Sequence, residues 1–544
     1  MAKEQTDPQK ETFEVGMSDE LLLGQIDEWY KESESFYAQI KRVWETNILY
    51  YKGQQTGVEM IFGKNSKAVE NRIFMATETM VPIVTTRLPD MVVRSGDTDE
   101  QSQKDALDLQ DILSYHFERM GIQEKTEQFA RDTILKRYGV FKVLWDKEND
   151  DVGLAVIDPR RVRVPRYGKT VNDLKFVIEE LEMGYDQAVL QFGALVASEL
   201  LRSGKKESDI KVRKHTFSVL EVWTNENVVW KSGNAILKKQ KNPYYDFKDL
   251  SKNFFSQPKK PYVIKSLFHT EESIIGDTDY VQQLLRVQDN INTRKRQIED
   301  IANKVANPIL LVDSSTGLSE EEISNISNEP GLIIYGSDVI NKIKFETPGQ
   351  LPGYLFDDVN TSRNEFDNIW GIHSTTRGER EGRETLGGRQ ILREADLGRI
   401  DLLGRQVERA MDEIAEYWVQ LIKLFYTEEK TFSILGEDGI RFVKNFSGDK
   451  IGNVIPSVRP GSTLKEDEAT IKQNAIILWQ NKAIGIRTLY KMLRIPNMQE
   501  AIDDFIETQS GQLLRQGQVG GAVPPQVSEA VVPPPEATAV PPTI

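Results

Sequence analysis

The apolar positions change period several times along the chain, and each change marks an element. Leu22, Ile26, Trp29, Tyr30, Tyr37, Ile40, Val43 and Trp44 recur at roughly every third or fourth position, the period of an amphipathic helix. Ser18 stands at its start as the expected N-cap, with Leu21 where a capping box would want Glu. Gly53 and Gly57 mark the loop after it. Further helices are predicted over 70–86, 97–120 and 123–138. GVFKVLW (139–145) then alternates, turns through D-K-E-N-D-D and returns as GLAVIDP (153–159), a hairpin pattern. RVRVP (161–165) and KFVIEELEM (175–183) are predicted to continue that sheet, and Tyr185 to Leu201 to form another helix.

The character of the chain shifts at Lys205. HTFSVLEVWT (215–224) and NVVWK (227–231) form a predicted hairpin. The stretch 238–265 carries eight lysines against Asp246 and Asp249, punctuated by proline and aromatics. It is expected to be a compact basic insertion outside the first sheet. A Gln- and Arg-rich helix follows from Asp279 to Ala306, ending at Pro308. Strands are predicted at 309–313, 331–336 and 340–346, with a short helix at 318–327 and a longer one at 352–372. KTFSILG (430–436) and IRFVKNF (440–446) form another hairpin, and 464–515 returns to helix.

Between these lies a proline-free run of 38 residues, Arg389 to Tyr426. Its apolar positions Ile400, Leu403, Val407, Met411, Ile414, Trp418, Leu421 and Phe425 step by three or four and form one stripe. As a helix it would be on the order of 57 Å long, with Gly398 and Gly404 as candidate kinks. A stripe of this length needs a large covering surface, either an ordinary multidomain core or neighbouring subunits in a ring. The preceding 373–388 segment interleaves Arg377, Arg380 and Arg383 with Glu379, Glu381 and Glu384 among four glycines. It reads as a solvated loop, or as a flexible loop making weak phosphate contacts.

With 544 residues, the chain is long enough for several domains. Its net charge of -15 argues against broad, tight wrapping of nucleic acid. There is no cysteine, hence neither disulfide nor thiolate metal site. The first 17 residues are expected to be disordered and have no apolar core of a signal peptide. Residues 521–544 hold seven prolines and no aromatic residue, so the 516–544 tail cannot build a core. No run of apolar residues is long enough to predict a transmembrane helix.

Catalytic patterns are missing. His116, His215, His269 and His373 show no metal-ligand spacing, and neither a phosphate-binding loop nor a nucleophile elbow occurs. The adjacent Asp357 and Asp358 fit a solvated helix face. No enzyme activity, metal or cofactor is expected.

The order of segments is more specific than any one motif. GDTDYVQQLLRVQDNINTRKRQIEDIANKVANPILLVD (276–313), GLIIYG (331–336), IKFETPGQLPGYLFDDVNTSRNEFDNIWGIHSTTRG (343–378), IDPRRVRVPR (157–166) and GSTLKEDEATIKQNAIILWQNKAI (461–484) resemble portal proteins of tailed bacteriophages. The resemblance covers most of 20–515. It implies an α+β, predominantly helical portal fold whose wing, stem, clip and crown assemble, usually as twelve copies, around a channel for double-stranded DNA. It places the wing at 18–204, the clip at 205–275, the post-clip stem helix at 276–308, more wing at 309–372 and 389–460, a tunnel loop at 373–388 and the crown at 461–515. Tyr185 to Leu201 is the candidate pre-clip stem.

The implied DNA-facing residues are Arg377, Glu379, Arg380, Glu381 and Arg383. The implied stem residues are Gln282, Arg286, Gln288, Asn292, Arg294 and Arg296. Lys238, Lys239, Lys241, Tyr244, Tyr245, Lys259 and Lys260 are the implied clip docking set, unless these aromatics simply fill a small core. The implied partners are a terminase motor, a head-completion or tail adaptor, the major capsid protein and a scaffold, at a capsid vertex of a virion assembled in the host cytoplasm. The alternatives are a head–tail adaptor or minor capsid protein, and an enzyme acting on nucleic acid.

Overall fold

A 33-residue helix, α1 (Asp19–Tyr51), buries Leu22, Ile26, Trp29, Tyr37, Ile40 and Trp44 along one side. Ser18 has the extended backbone of an N-cap but its side chain makes no capping bond. Asp19 and Glu20 in the first turn complement the helix dipole instead. The computed structural model describes residues 16–55, 67–86, 89–194, 196, 216–270, 272–306, 309–313, 343–346, 352–373, 376, 386–435, 441–459, 468–493 and 501–502, with isolated positions between 315 and 341. The expected strand at 331–336, residues 1–15 of the expected disordered N-terminus and the expected disordered tail lie outside the described residues. The chain forms two compact units, Met1–Phe432 with Val443–Lys465, and Ser433–Phe442 with Glu466–Ile544.

In the first unit α2 (Arg72–Thr85), β1 (Met91–Ser95), α3 (Glu100–Arg119) and α4 (Ile122–Lys136) follow α1. Gly121 and Arg137, both left-handed, bracket α4. β2 (Tyr138–Asp146) then turns into β3 (Asp151–Val156), pairing Asp146 with Asp151, as the alternating pattern predicts. β4 (Val162–Arg163), β5 (Val177–Gly184), α5 (Tyr185–Phe192), β6 (Thr216–Trp223), β7 (Asn227–Ser232), β8 (Ala235–Lys241) and β9 (Tyr262–Ser266) complete this half. The helix expected over Tyr185 to Leu201 is interrupted at Gly193, whose φ is +85°; residues 194 and 196 are again helical, and 197–201 lie outside the described residues.

Strand pairing departs from the sequence expectation. β4 and β5 do not continue the first sheet; they join an antiparallel sheet of order β4-β5-β6-β7-β8. β9 returns to β2, giving β3-β2-β9. The basic stretch therefore does not fold apart. β6 pairs with β5 along its whole length, from Val177–Trp223 to Gly184–Thr216, and the lysine-rich β8 is an edge strand, where lysine discourages further pairing. The two sheets meet at Lys142 of β2. Its Nζ lies 2.7 Å from Glu179 Oε2 and 2.9 Å from Glu221 Oε2, cross-strand neighbours on β5 and β6. Tyr262 also donates to Glu179. Burial pulls the Lys142 pKa down, but the two carboxylates more than reverse this and hold it above its ordinary value.

The remaining elements of the first unit are α6 (Tyr280–Ala306), β10 (Ile309–Val312), β11 (Ile343–Glu346), α7 (Tyr354–Trp370) and α8 (Leu386–Phe425). β12 (Lys430–Leu435), β13 (Arg441–Phe446) and β14 (Val454–Val458) follow, β12 pairing with β13 and β14 with β1. α8 stays helical through Gly398 and Gly404. Its stripe Ile400, Leu403, Val407, Met411, Ile414 and Trp418 is at most 1% exposed. α2, β2, β3, β9 and β14 pack against this helix, so the stripe is covered within one chain. The second unit contains α9 (Glu468–Gln480) and α10 (Ile486–Leu493), which pack together.

Lys142→Ala should cost roughly 3–5 kcal/mol, since it leaves two carboxylates buried side by side without their cation. Urea denaturation checks this, and adding Glu179→Gln and Glu221→Gln to the same chain should recover much of the loss.

Candidate functional site

The Gln/Arg-rich helix α6 gives a first test of the candidate residues. Gln288, Asn292 and Arg296 are four apart, so they form one row on the helix. All three are buried, and the row binds the chain that precedes α2. Gln288 accepts from Arg72 N at 3.2 Å and donates to Glu70 O at 2.6 Å. Asn292 Oδ1 accepts from Glu70 N at 2.9 Å. Arg296 donates to Ala68 O at 2.9 Å and Gln55 O at 3.0 Å. These side chains replace missing backbone partners of an irregular segment, which burial requires. On the other flank Arg294 pairs with Asp358 of α7 at 2.6 Å, and Gln282 accepts from Arg137 at 3.2 Å. Arg286 is exposed.

Glu70 is the charged centre of this junction. Arg363 of α7 binds it through both carboxylate oxygens, at 2.9 and 2.6 Å, and Lys295 of α6 lies 3.3 Å away. Arg72 reaches back to Glu70 at 3.4 Å and onward to Asp367 at 2.6 Å, with its guanidinium over Phe366. One carboxylate thus joins the start of α2 to α6 and α7. Burial raises its pKa, but Arg363 and Lys295 outweigh this and hold it at about 2. Nothing in the sequence KAVENR (67–72) distinguishes this glutamate from a surface one.

Where α7 passes toward α8, Asp396 gathers the chain. It accepts from His373 N at 2.9 Å, from Thr376 Oγ1 at 2.6 Å, and faces His373 Nδ1 at 2.7 Å. The candidates that follow, Arg377, Glu379, Arg380, Glu381 and Arg383, lie outside the described residues.

The docking set is largely engaged within the chain. Lys260 is fully buried, its Nζ donating to Val171 O at 3.1 Å and Asn225 Oδ1 at 2.6 Å, and burial lowers its pKa to about 7. It is not a surface docking residue. Tyr245 is buried and donates to Ser256 O, while Tyr244 stacks on Trp223. With Phe255 and Tyr262, also buried, they belong to a core, the plainer of the two sequence readings. Gln420 of α8 stitches this stretch down by accepting from Phe254 N at 2.6 Å and Phe255 N at 2.9 Å. Lys239 pairs with Asp19, and Lys259 lies over Phe255 and near Glu416. Lys238 and Lys241 are exposed, lying over Trp230 and Phe247.

Among the described residues no group of three acidic or histidine side chains could hold a metal ion, and no helix is long and apolar enough to cross a membrane.

Residues 268–472 match the model of the Phage P22-like portal protein family. No curated protein matches the chain. The matched span starts just after β9, takes in α6, α7, the Asp396 junction and α8, and ends within α9. It bears out the portal reading of the sequence over that span, and the family it matches is a structural, non-enzymatic one.

Because the folded pKa of Glu70 lies below its ordinary 4.5, its ion pairs contribute fully above about pH 5. That contribution is lost as pH falls from 4.5 toward 2. Glu70→Gln should destabilise the protein by on the order of 1–3 kcal/mol at pH 7. In urea titrations the gap between variant and wild type should narrow steadily below pH 4.

Proposed function

We propose that this phage portal protein acts as a ring of twelve copies at one capsid vertex, passing double-stranded DNA through a central channel during packaging and ejection. The match over 268–472 carries the reading, since it falls on the helices and the Arg/Glu segment that the resemblance assigns to stem, wing and tunnel loop. Arg377, Arg380 and Arg383, interleaved with Glu379 and Glu381, line the channel. They touch phosphate without base readout, so the contact has no sequence preference. A net charge of -15 suits the same end: few counterions are released, and the duplex slides instead of being gripped.

α6 is the stem helix after the clip, and α8 is the long wing helix. Because one chain covers the α8 stripe, subunit contacts use other surfaces. The clip is the exposed part of the 216–266 region, with Lys238 and Lys241 available to a terminase motor during packaging and to an adaptor afterwards. α9 and α10 belong to the crown. The capsid shell and a scaffold hold the ring in place, and assembly takes place in the host cytoplasm before the portal becomes part of the virion.

Replacing Arg377, Arg380 and Arg383 together by Glu should leave capsids intact but lower the DNase-protected DNA per capsid by on the order of tenfold, with a stronger effect at low salt. Unchanged packaging at every salt concentration would remove these residues from the channel wall.

A further inference from the structure

We propose that His373, Asp396 and Asn368 form a protonation-dependent clasp that fastens residues 372–376 to α8. The proposal concerns how this segment is held and does not depend on the portal reading.

α7 ends at Trp370, and Gly371 takes a left-handed φ of +83°. A Cβ there would lie 2.2 Å from Arg399 Cδ, so the turn is closed over that arginine, and its left-handed backbone favours glycine. The chain then meets Asp396, whose side chain is 4% exposed. One of its oxygens accepts from both His373 N and Thr376 Oγ1; the other faces His373 Nδ1. On the far side of the ring, His373 Nε2 faces Asn368 Oδ1 of α7 at 3.0 Å. Thr376 N donates to His373 O, closing a short turn inside the clasp.

Both imidazole nitrogens therefore face oxygen atoms. Only the imidazolium donates from both. A neutral ring keeps one of these bonds and sets a lone pair against an oxygen at the other, unless the Asn368 amide rotates. The bond to a buried carboxylate is also charge-assisted only in the cationic form. The imidazole is 45% exposed, so its proton exchanges freely with solvent. Among the described residues, the charged groups around it are Asp396, which favours the cation, and Arg399 one turn along α8, which donates to Asn368 O at 2.6 Å and opposes it. Protonating the ring therefore tightens the hold on His373 and Thr376, and deprotonating it slackens that hold.

Hydrogen–deuterium exchange on the full chain at about pH 5.5 and pH 8, corrected for intrinsic rates, tests this. Peptides spanning 371–376 should be at least about fivefold more protected at the lower pH, the size of one good hydrogen bond. His373→Gln should abolish that difference while α4 peptides stay unchanged. Asn368→Asp, at an exposed position, should enlarge it, since its carboxylate favours the imidazolium. If His373→Gln does not fold, Asn368→Leu replaces it and should shrink the difference. No pH difference in the wild type, or the same difference surviving in either variant, would overturn the clasp.

Discussion

Burial of the α8 stripe is the constraint on which the first unit rests. A 40-residue helix cannot leave Ile400 through Trp418 in water, and the surrounding elements are those that cover it. Trp418 packs at a tilt against Phe117, with its indole N–H directed at Gly153 O. Ile400 and Leu403 share a core with Met80, Leu284, Phe366 and Trp370, so the same helix touches α2, α6 and α7. Just past its end Tyr426 donates to Asp151, which Arg119 also binds, and lies 3.2 Å from buried His116. Ten residues on from Leu386, Asp396 of the same helix holds the chain arriving from α7. Hydrogen bonds to carboxylates thus flank the packed stripe, at Asp396 before it and at Tyr426 after it.

Apolar contact alone does not say how the pieces are set on this helix. Polar groups supply that geometry. Lys142 between Glu179 and Glu221 joins two sheets, Glu70 joins three helices, and Gln420 pins the 244–255 stretch. Each is a buried or half-buried group whose partners come from distant parts of the chain, so misplacing one element leaves a charge or a donor unmatched. In the proposed ring, where a subunit would meet neighbours on both sides, a body with one defined geometry is an advantage.

What the sequence disclosed follows from the range of the interactions. The helices α1, α6 and α8 and the β2–β3 hairpin were legible because a period of 3.6 or 2 is written locally. Assigning β4 and β5 to the first sheet failed because their alternation fixes which face is buried, not which strand lies alongside. β5 prefers β6, which starts more than thirty residues after it. Gln288, Asn292, Arg296 and Lys260 look like surface residues in the sequence. They are buried because irregular backbone at 55, 68–72 and 171, and the Asn225 side chain, need partners, a demand that no local pattern records. Glu70 and Asp396 went unnoticed for the same reason. The portal identity was legible through the order of its segments, not through any chemistry.

Cryo-electron microscopy of the purified full-length protein tests the central claim most directly. A closed ring of about twelve copies, with each α8 stripe covered by its own subunit and the 377–383 segments converging on a pore wide enough for duplex DNA, is the predicted result. A compact dimer with the α8 stripes packed against each other across a two-fold axis would contradict it.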